Sequence, residues 1–122
     1  MSFLFLVDKV TGEEYNVSAL TVPTGSITLG RSRSNDIVTR FPGNDDPTIK
    51  RQNLSISRTH AKIENNDGVL TIADTSRNGC SFIAPAGNLE AHPFEKGTEY
   101  PLVSDQKIFL DKYGPLVVEE RR

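Results

Sequence analysis

The feature that most constrains this chain is the shortness of its apolar runs and the regularity of the turns between them. The runs are "FLFLV" (3–7), "YNVSALTV" (15–22), "SITLG" (26–30), "DIV" (36–38), "HAKIE" (60–64), "VLTIAD" (69–74), "CSFI" (80–83), "KIFL" (107–110) and "LVVEE" (116–120). Turn-forming clusters separate them: "TGEE", "PTGS", "PGNDDP", "NNDG", "SRNG", "APAGN", "EKGT" and "KYGP". No long segment carries the i, i+3, i+4, i+7 apolar spacing of an amphipathic helix. Many short strands with regular turns define an all-β sandwich or barrel. "NNDG" (65–68) tolerates positive φ and predicts a hairpin joining 60–64 to 69–73. Residues 39–55, "TRFPGNDDPTIKRQNLS", show no clear period and read as a long loop. Such a loop in a compact domain is either functional, mobile or a tolerated insertion. With no internal repeat and no linker, residues 1–122 read as one domain.

Bulk properties narrow the classes. The 122 residues are 36% hydrophobic, enough for one modest core. A net charge of -2 gives no whole-chain case for nucleic acid or an anionic membrane. A single cysteine, Cys80, excludes an internal disulfide and fits a reducing compartment. The two histidines and one cysteine look too scattered for structural zinc, so neither metal nor cofactor is expected. The apolar start, Phe3 to Val7, lacks the basic flank and length of a secretory signal or a span. We read an intracellular domain, cytoplasmic with the nucleus left open, and no membrane partner. The charged end "VVEERR" reads as an edge or a cut, which allows a piece of a longer protein.

Three short motifs carry chemistry. In "LGRSRSNDI" (29–37) a strand ends at Leu29, and Gly30 allows an unusual backbone angle or a close approach. Arg31 and Arg33 then sit on a turn, where a guanidinium can give a phosphate two parallel hydrogen bonds. A solvated surface arginine has the same pattern. In "SISRTHAKIE" Ser57 can donate its hydroxyl to a phosphate oxygen, with Arg58 adding charge. Strand alternation from residue 60 places Ala61 and Ile63 on one face and His60, Lys62 and Glu64 on the other, pointing His60 outward. The alternative is a structural histidine bonded to nearby backbone. In "IADTSRNGCSF" (72–82) Asn78 offers an amide donor and a carbonyl acceptor at a loop tip, suited to holding an extended peptide. Asn-Gly is equally a plain hairpin turn.

The order and spacing of Gly30-Arg31, Ser57-Arg58-Thr59-His60, then Asp74, Ser76, Asn78 and Gly79, resembles the forkhead-associated (FHA) family of phosphothreonine-binding domains. "SDQKIFL" (104–110) looks like that family's penultimate strand, so the resemblance runs from about residue 3 to 120. It implies a mostly antiparallel β-sandwich of about eleven strands with the binding loops at one end. It further implies Arg31, Ser57 and Arg58 on the phosphate, and Arg77 and Asn78 on the peptide. Gly30, His60 and Gly79 become architectural. The implied partner is a phosphothreonine-bearing segment of a Ser/Thr kinase substrate. Two departures stand out. Cys80 occupies the usual threonine position, and 39–55 is longer than in most relatives, bringing Arg40, Lys50 and Arg51 near the expected phosphate. Lys50 or Arg51, with Arg33, are candidate auxiliary contacts to acidic residues or a second phosphate.

Charge patterning agrees. Residues 31–62 hold Arg31, Arg33, Arg40, Lys50, Arg51, Arg58 and Lys62 against Asp36, Asp45 and Asp46, while the rest of the chain carries the acid excess. Other readings are weaker. A Ser57–His60–Asp74 triad lacks a nucleophile elbow and an oxyanion loop, and nothing positions His92 against Cys80, so no enzyme is expected. Nucleic acid would need more aromatics than Phe41 within 31–62. The remaining alternative is a phospho-independent interaction or dimerisation domain on the same fold.

Overall fold

The computed structural model describes residues 2–43, 45–85 and 90–122. Parts of the "PGNDDP" and "APAGN" turns (Asn44 and residues 86–88) lie outside these described residues. The strands are β1 (Phe3–Asp8), β2 (Glu14–Asn16), β3 (Ser26–Gly30), β4 (Ile37–Val38), β5 (Ala61–Asn66), β6 (Val69–Asp74), β7 (Cys80–Ile83), β8 (His92–Pro93), β9 (Glu99–Pro101), β10 (Lys107–Leu110) and β11 (Tyr113–Arg121). Two short helices join them, α1 (Val17–Leu20) and α2 (Pro47–Asn53).

One sheet runs β2-β1-β11-β10-β7-β8 and the other β4-β3-β5-β6-β9. The β3–β4 pair is parallel and the other pairs are antiparallel. Alternation sets the packing. Ile27 and Leu29 of β3, Ala61 and Ile63 of β5, and Leu70 and Ile72 of β6 turn into the core. Leu6, Ile108, Leu110, Leu116 and Val118 of the opposite sheet join the same cluster. Burying one such aliphatic side chain contributes about 1.5–3 kcal/mol, so this seam dominates the fold's stability. Tyr113, fully buried, donates its hydroxyl to the buried Asp8 across the β1–β11 pair.

The expected hairpin forms: Asn66 faces Val69, and Asp67 (φ 54°) and Gly68 (φ 89°) make the turn. Three expectations need correction. "YNVSALTV" is not one strand. Asn16 accepts from the Ala19 N–H at 3.0 Å and starts α1, because Asn competes for the backbone and suits a cap. Residues 39–55 are not structureless either: Asp46 caps α2 through the Thr48 N–H at 2.8 Å, and Pro47 takes the first turn. Finally, 75–79 is not a hairpin turn, since β6 and β7 belong to different sheets and the segment crosses between them.

The topology gathers three connections at one end. Leu29 lies opposite Ala61, and Ala61 opposite Asp74. The β3–β4 turn, the segment between α2 and β5, and the β6–β7 crossover therefore leave the sandwich side by side.

Candidate functional site

Gly30 is the first constraint. A Cβ there would lie 2.1 Å from the Arg58 carbonyl oxygen and 2.8 Å from the Thr59 Cα. Of the two reasons its motif allowed, close approach is the operative one. The backbone of 57–59 passes directly over Gly30 and is pinned there. The Arg31 N–H donates to Ser57 O at 3.0 Å and the Ser32 N–H to Arg58 O at 3.2 Å. Asn35, 8% exposed, ties the two loops by donating its side-chain amide to Ser32 O and Arg58 O. Its role was not foreseen in the sequence; the only signal was an amide in the "SND" turn.

His60 is the second. It is fully buried, so the outward placement from alternation is wrong. The reason is that β5 begins at Ala61, and His60 belongs to the preceding loop. Its Nδ1 accepts the Ser57 backbone N–H at 3.0 Å, which leaves Nε2 to carry the proton and donate to Gly79 O at 2.8 Å. One imidazole thus ties the Ser57 loop to the 75–79 crossover. Burial holds its pKa below the ordinary value, while the Gly79 carbonyl and the charges of Asp74 and Asp111 oppose that shift. Gly79, at φ 92°, supplies the carbonyl from a left-handed turn, and Ser76 Oγ accepts the Gly79 N–H at 2.7 Å.

On this frame the exposed chemistry converges. Arg31, Ser57, Arg58, Arg77 and Asn78 line one open cleft of about 590 Å³, together with Leu54, Ile56 and Thr59. The Arg31 Nε–H donates to Ile56 O at 3.0 Å, which orients the guanidinium and leaves its two terminal nitrogens for a ligand. Ser57 Oγ accepts the Arg77 N–H at 3.0 Å, so its own proton remains to be donated. Asn78 spends one amide hydrogen on Ser55 O at 2.8 Å, which fixes the side chain and leaves its carbonyl and second hydrogen available. Three guanidinium groups and no carboxylate line this cleft. Leu54, 61% exposed, is an apolar wall that sequence reasoning missed, since an exposed leucine has no pattern of its own.

The auxiliary cations divide. Arg33 and Lys50 line a neighbouring cleft with Arg31 and Arg40. Arg51 faces a different and more apolar one, beside Phe41, Thr48, Gln52, Ser55 and Lys112.

Beneath the site, His60, Asp74 and Cys80 bring potential ligand atoms within 4.8 Å of one another, all buried. The fold thus joins a histidine and the cysteine that looked scattered along the chain. Asp74 Oδ1 accepts both the N–H and the hydroxyl of Ser76. Cys80 lies against Asp74, and burial together with that carboxylate pushes its thiol well above the ordinary range. A cation at His60 Nε2 would displace Gly79 O while Nδ1 still accepts from Ser57, a demand that only an imidazolate meets. The cluster is suited to holding loops rather than an ion. A Ser57–His60–Asp74 relay is not assembled either, because His60 meets the Ser57 N–H and not its hydroxyl.

Comparison with known proteins identifies the family of this fold. The family model "FHA domain" matches residues 27–108, about two thirds of the chain. The chain belongs to the FHA domain family. It is similar to the FHA domain of an Arabidopsis thaliana hypothetical protein, at 25% identity, covering 98% of this chain and 86% of that one, with a TM-score of 0.65. It is similar to the N-terminal FHA domain of S. cerevisiae Rad53p in complex with a phosphothreonine peptide: 19% identity, 98% and 94% covered, TM-score 0.64. The FHA domain of human APLF in complex with an XRCC1 bisphospho peptide is similar at 20% identity, with 98% of both chains covered and a TM-score of 0.61. No curated protein sequence gives a significant match.

Proposed function

We propose that this chain is a phosphopeptide-binding module that takes phosphothreonine segments of Ser/Thr kinase substrates and performs no chemical step on them. The observation that carries this reading is the convergence of Arg31, Ser57 and Asn78, from three separate connections, on one acid-free cleft. Phosphothreonine brings about -1.5 to -2 charges and three acceptor oxygens near pH 7. The free terminal nitrogens of Arg31 and the Ser57 hydroxyl are donors of matching kind. Arg58 adds charge at the rim, while Arg77 and Asn78 take the peptide main chain. His60 and Gly79 hold the loops and never touch ligand. Family membership and the peptide bound by the Rad53p domain support the reading. Threonine over serine follows from the family resemblance. The chain meets these segments inside the cell, where such kinases act.

A micromolar peptide complex is worth about -8 kcal/mol. Two charge-assisted hydrogen bonds from Arg31, at about 1.5–3 kcal/mol each, supply much of that. Arg31→Ala is therefore expected to remove measurable binding while the domain stays folded. The test is an oriented phosphothreonine peptide library, run beside phosphoserine and unphosphorylated versions. Selective retention of phosphothreonine peptides is expected. An equal response to all three, with self-association of the domain, would replace this reading by a phospho-independent dimerisation module.

A further inference from the structure

The cleft just described has a neighbour that shares Arg31 and Leu54 with it. A second cleft of about 330 Å³ is lined by Arg31, Arg33, Arg40 and Lys50, with Leu54 shared between both walls. No acidic residue lines it. Of the three acids nearest in sequence, Asp36 accepts the Thr28 N–H at 3.0 Å and Asp46 caps α2, while Asp45 is exposed and does not line the cleft. The ion pairs among the described residues join Lys62 to Glu64 and Arg121 to Glu14 and Glu119; none engages these four cations.

The long 39–55 segment supplies one side of this cleft, opposite Arg31, Ser32 and Arg33 of the β3–β4 turn. Asn53, 3% exposed, accepts the Phe41 N–H at 2.6 Å and donates to Phe41 O at 3.0 Å. That clasp joins the two arms of the segment and holds Arg40, next to Phe41, against the end of α2. Lys50 and Leu54 stand four residues apart, on one helical face. Arg51, one residue on, is rotated away into the other cleft. With Arg31 given to the phosphothreonine, Arg33, Arg40 and Lys50 still line this cleft together with no acidic side chain beside them; like charges repel, and a ligand anion relieves that repulsion. Guanidinium forks match phosphate oxygens, and a carboxylate matches them more weakly in charge.

We propose that this second cleft is an anion subsite for a phosphorylated or carboxylate side chain on the same peptide, a few residues from the phosphothreonine. It rests on the phosphothreonine reading of the first cleft. The subsite makes the domain selective for multiply phosphorylated or acid-flanked segments.

The test uses peptides with one phosphothreonine and either a phosphoserine or a glutamate walked over about four positions on each side, roughly 14 Å of extended chain. Dissociation constants are measured at about 0.15 M salt for wild type, for Arg33→Ala/Lys50→Ala, and for Arg51→Ala as a control on the other cleft. One register is expected to tighten binding by about tenfold or more, with phosphoserine exceeding glutamate. The double variant is expected to lose that gain while holding the singly phosphorylated peptide as wild type does, and Arg51→Ala to keep the gain. Equal affinities of wild type and double variant for every peptide would overturn the subsite. So would a gain equal in all registers and abolished at about 0.5 M salt, which is long-range attraction. Failure of wild type to bind the singly phosphorylated peptide overturns the first-cleft reading as well, and so is told apart.

Discussion

Gly30→Ala tests the frame of the site at one atom. The added Cβ would meet the Arg58 carbonyl oxygen at 2.1 Å, against 3.4 Å for ordinary contact, so the 57–59 backbone must retreat by about 1.3 Å. No side-chain rotation relieves this, because the three nearest atoms are all backbone. The retreat strains the Ser32 N–H and Asn35 bonds to that carbonyl. Two lost hydrogen bonds cost about 0.5–1.5 kcal/mol each, and overpacking adds about 1–3 kcal/mol. The expected loss is thus about 2–6 kcal/mol, a large part of a domain's whole stability. Urea unfolding followed by far-UV circular dichroism reads it, the chain having no tryptophan. Gly79→Ala is the comparison: its Cβ meets nothing within 4 Å, and only the φ of 92° is strained, at about 1–2 kcal/mol. Gly30→Ala is also expected to weaken phosphopeptide binding, since Ser57 and Arg58 move with the loop. A cost below about 1 kcal/mol with affinity intact would refute the close-approach reasoning.

Other consequences follow from the buried groups. The folded pKa of His60 lies below its ordinary 6.5, so as pH falls past that value the unfolded chain takes up a proton that the folded one resists. Stability present above about pH 6.5 should fall as pH drops toward the folded value, with a slope of up to about 1.4 kcal/mol per pH unit that His60→Gln removes. The Cys80 thiol, 4% exposed and held protonated, should resist a thiol reagent in the native domain and react promptly in urea. Asp74 Oδ2 is buried without a conventional hydrogen-bond partner, so Cys80→Thr, which supplies a hydroxyl there, should raise stability by about 0.5–1.5 kcal/mol in the same unfolding assay. Asn53→Ala frees both Phe41 backbone groups and should cost about 1–3 kcal/mol, with faster amide exchange across 40–54.

Much of this site is legible because its chemistry is local. Gly30-Arg31, Ser57 and Asn78 each sit in a turn whose residue types limit what the backbone can do. What joins the turns is not local. Asn35 bonds to Arg58 and His60 to Gly79, and no period in the sequence links those positions. His60 escapes alternation because it precedes its strand. α2 escapes detection because its seven residues bury only Asn53, leaving no apolar stripe, although Asp46-Pro47 is a proper helix start. β8 and β9, two and three residues long, exist through their partners β7 and β6 rather than through any pattern of their own.

The most direct test of the central claim is a backbone-amide NMR titration with one peptide in phosphothreonine and unphosphorylated forms. The account predicts saturable shifts at Arg31, Ser57, Arg58, Arg77 and Asn78 with the phosphorylated form and none with the other. Shifts centred elsewhere, or equal with both forms, would contradict it.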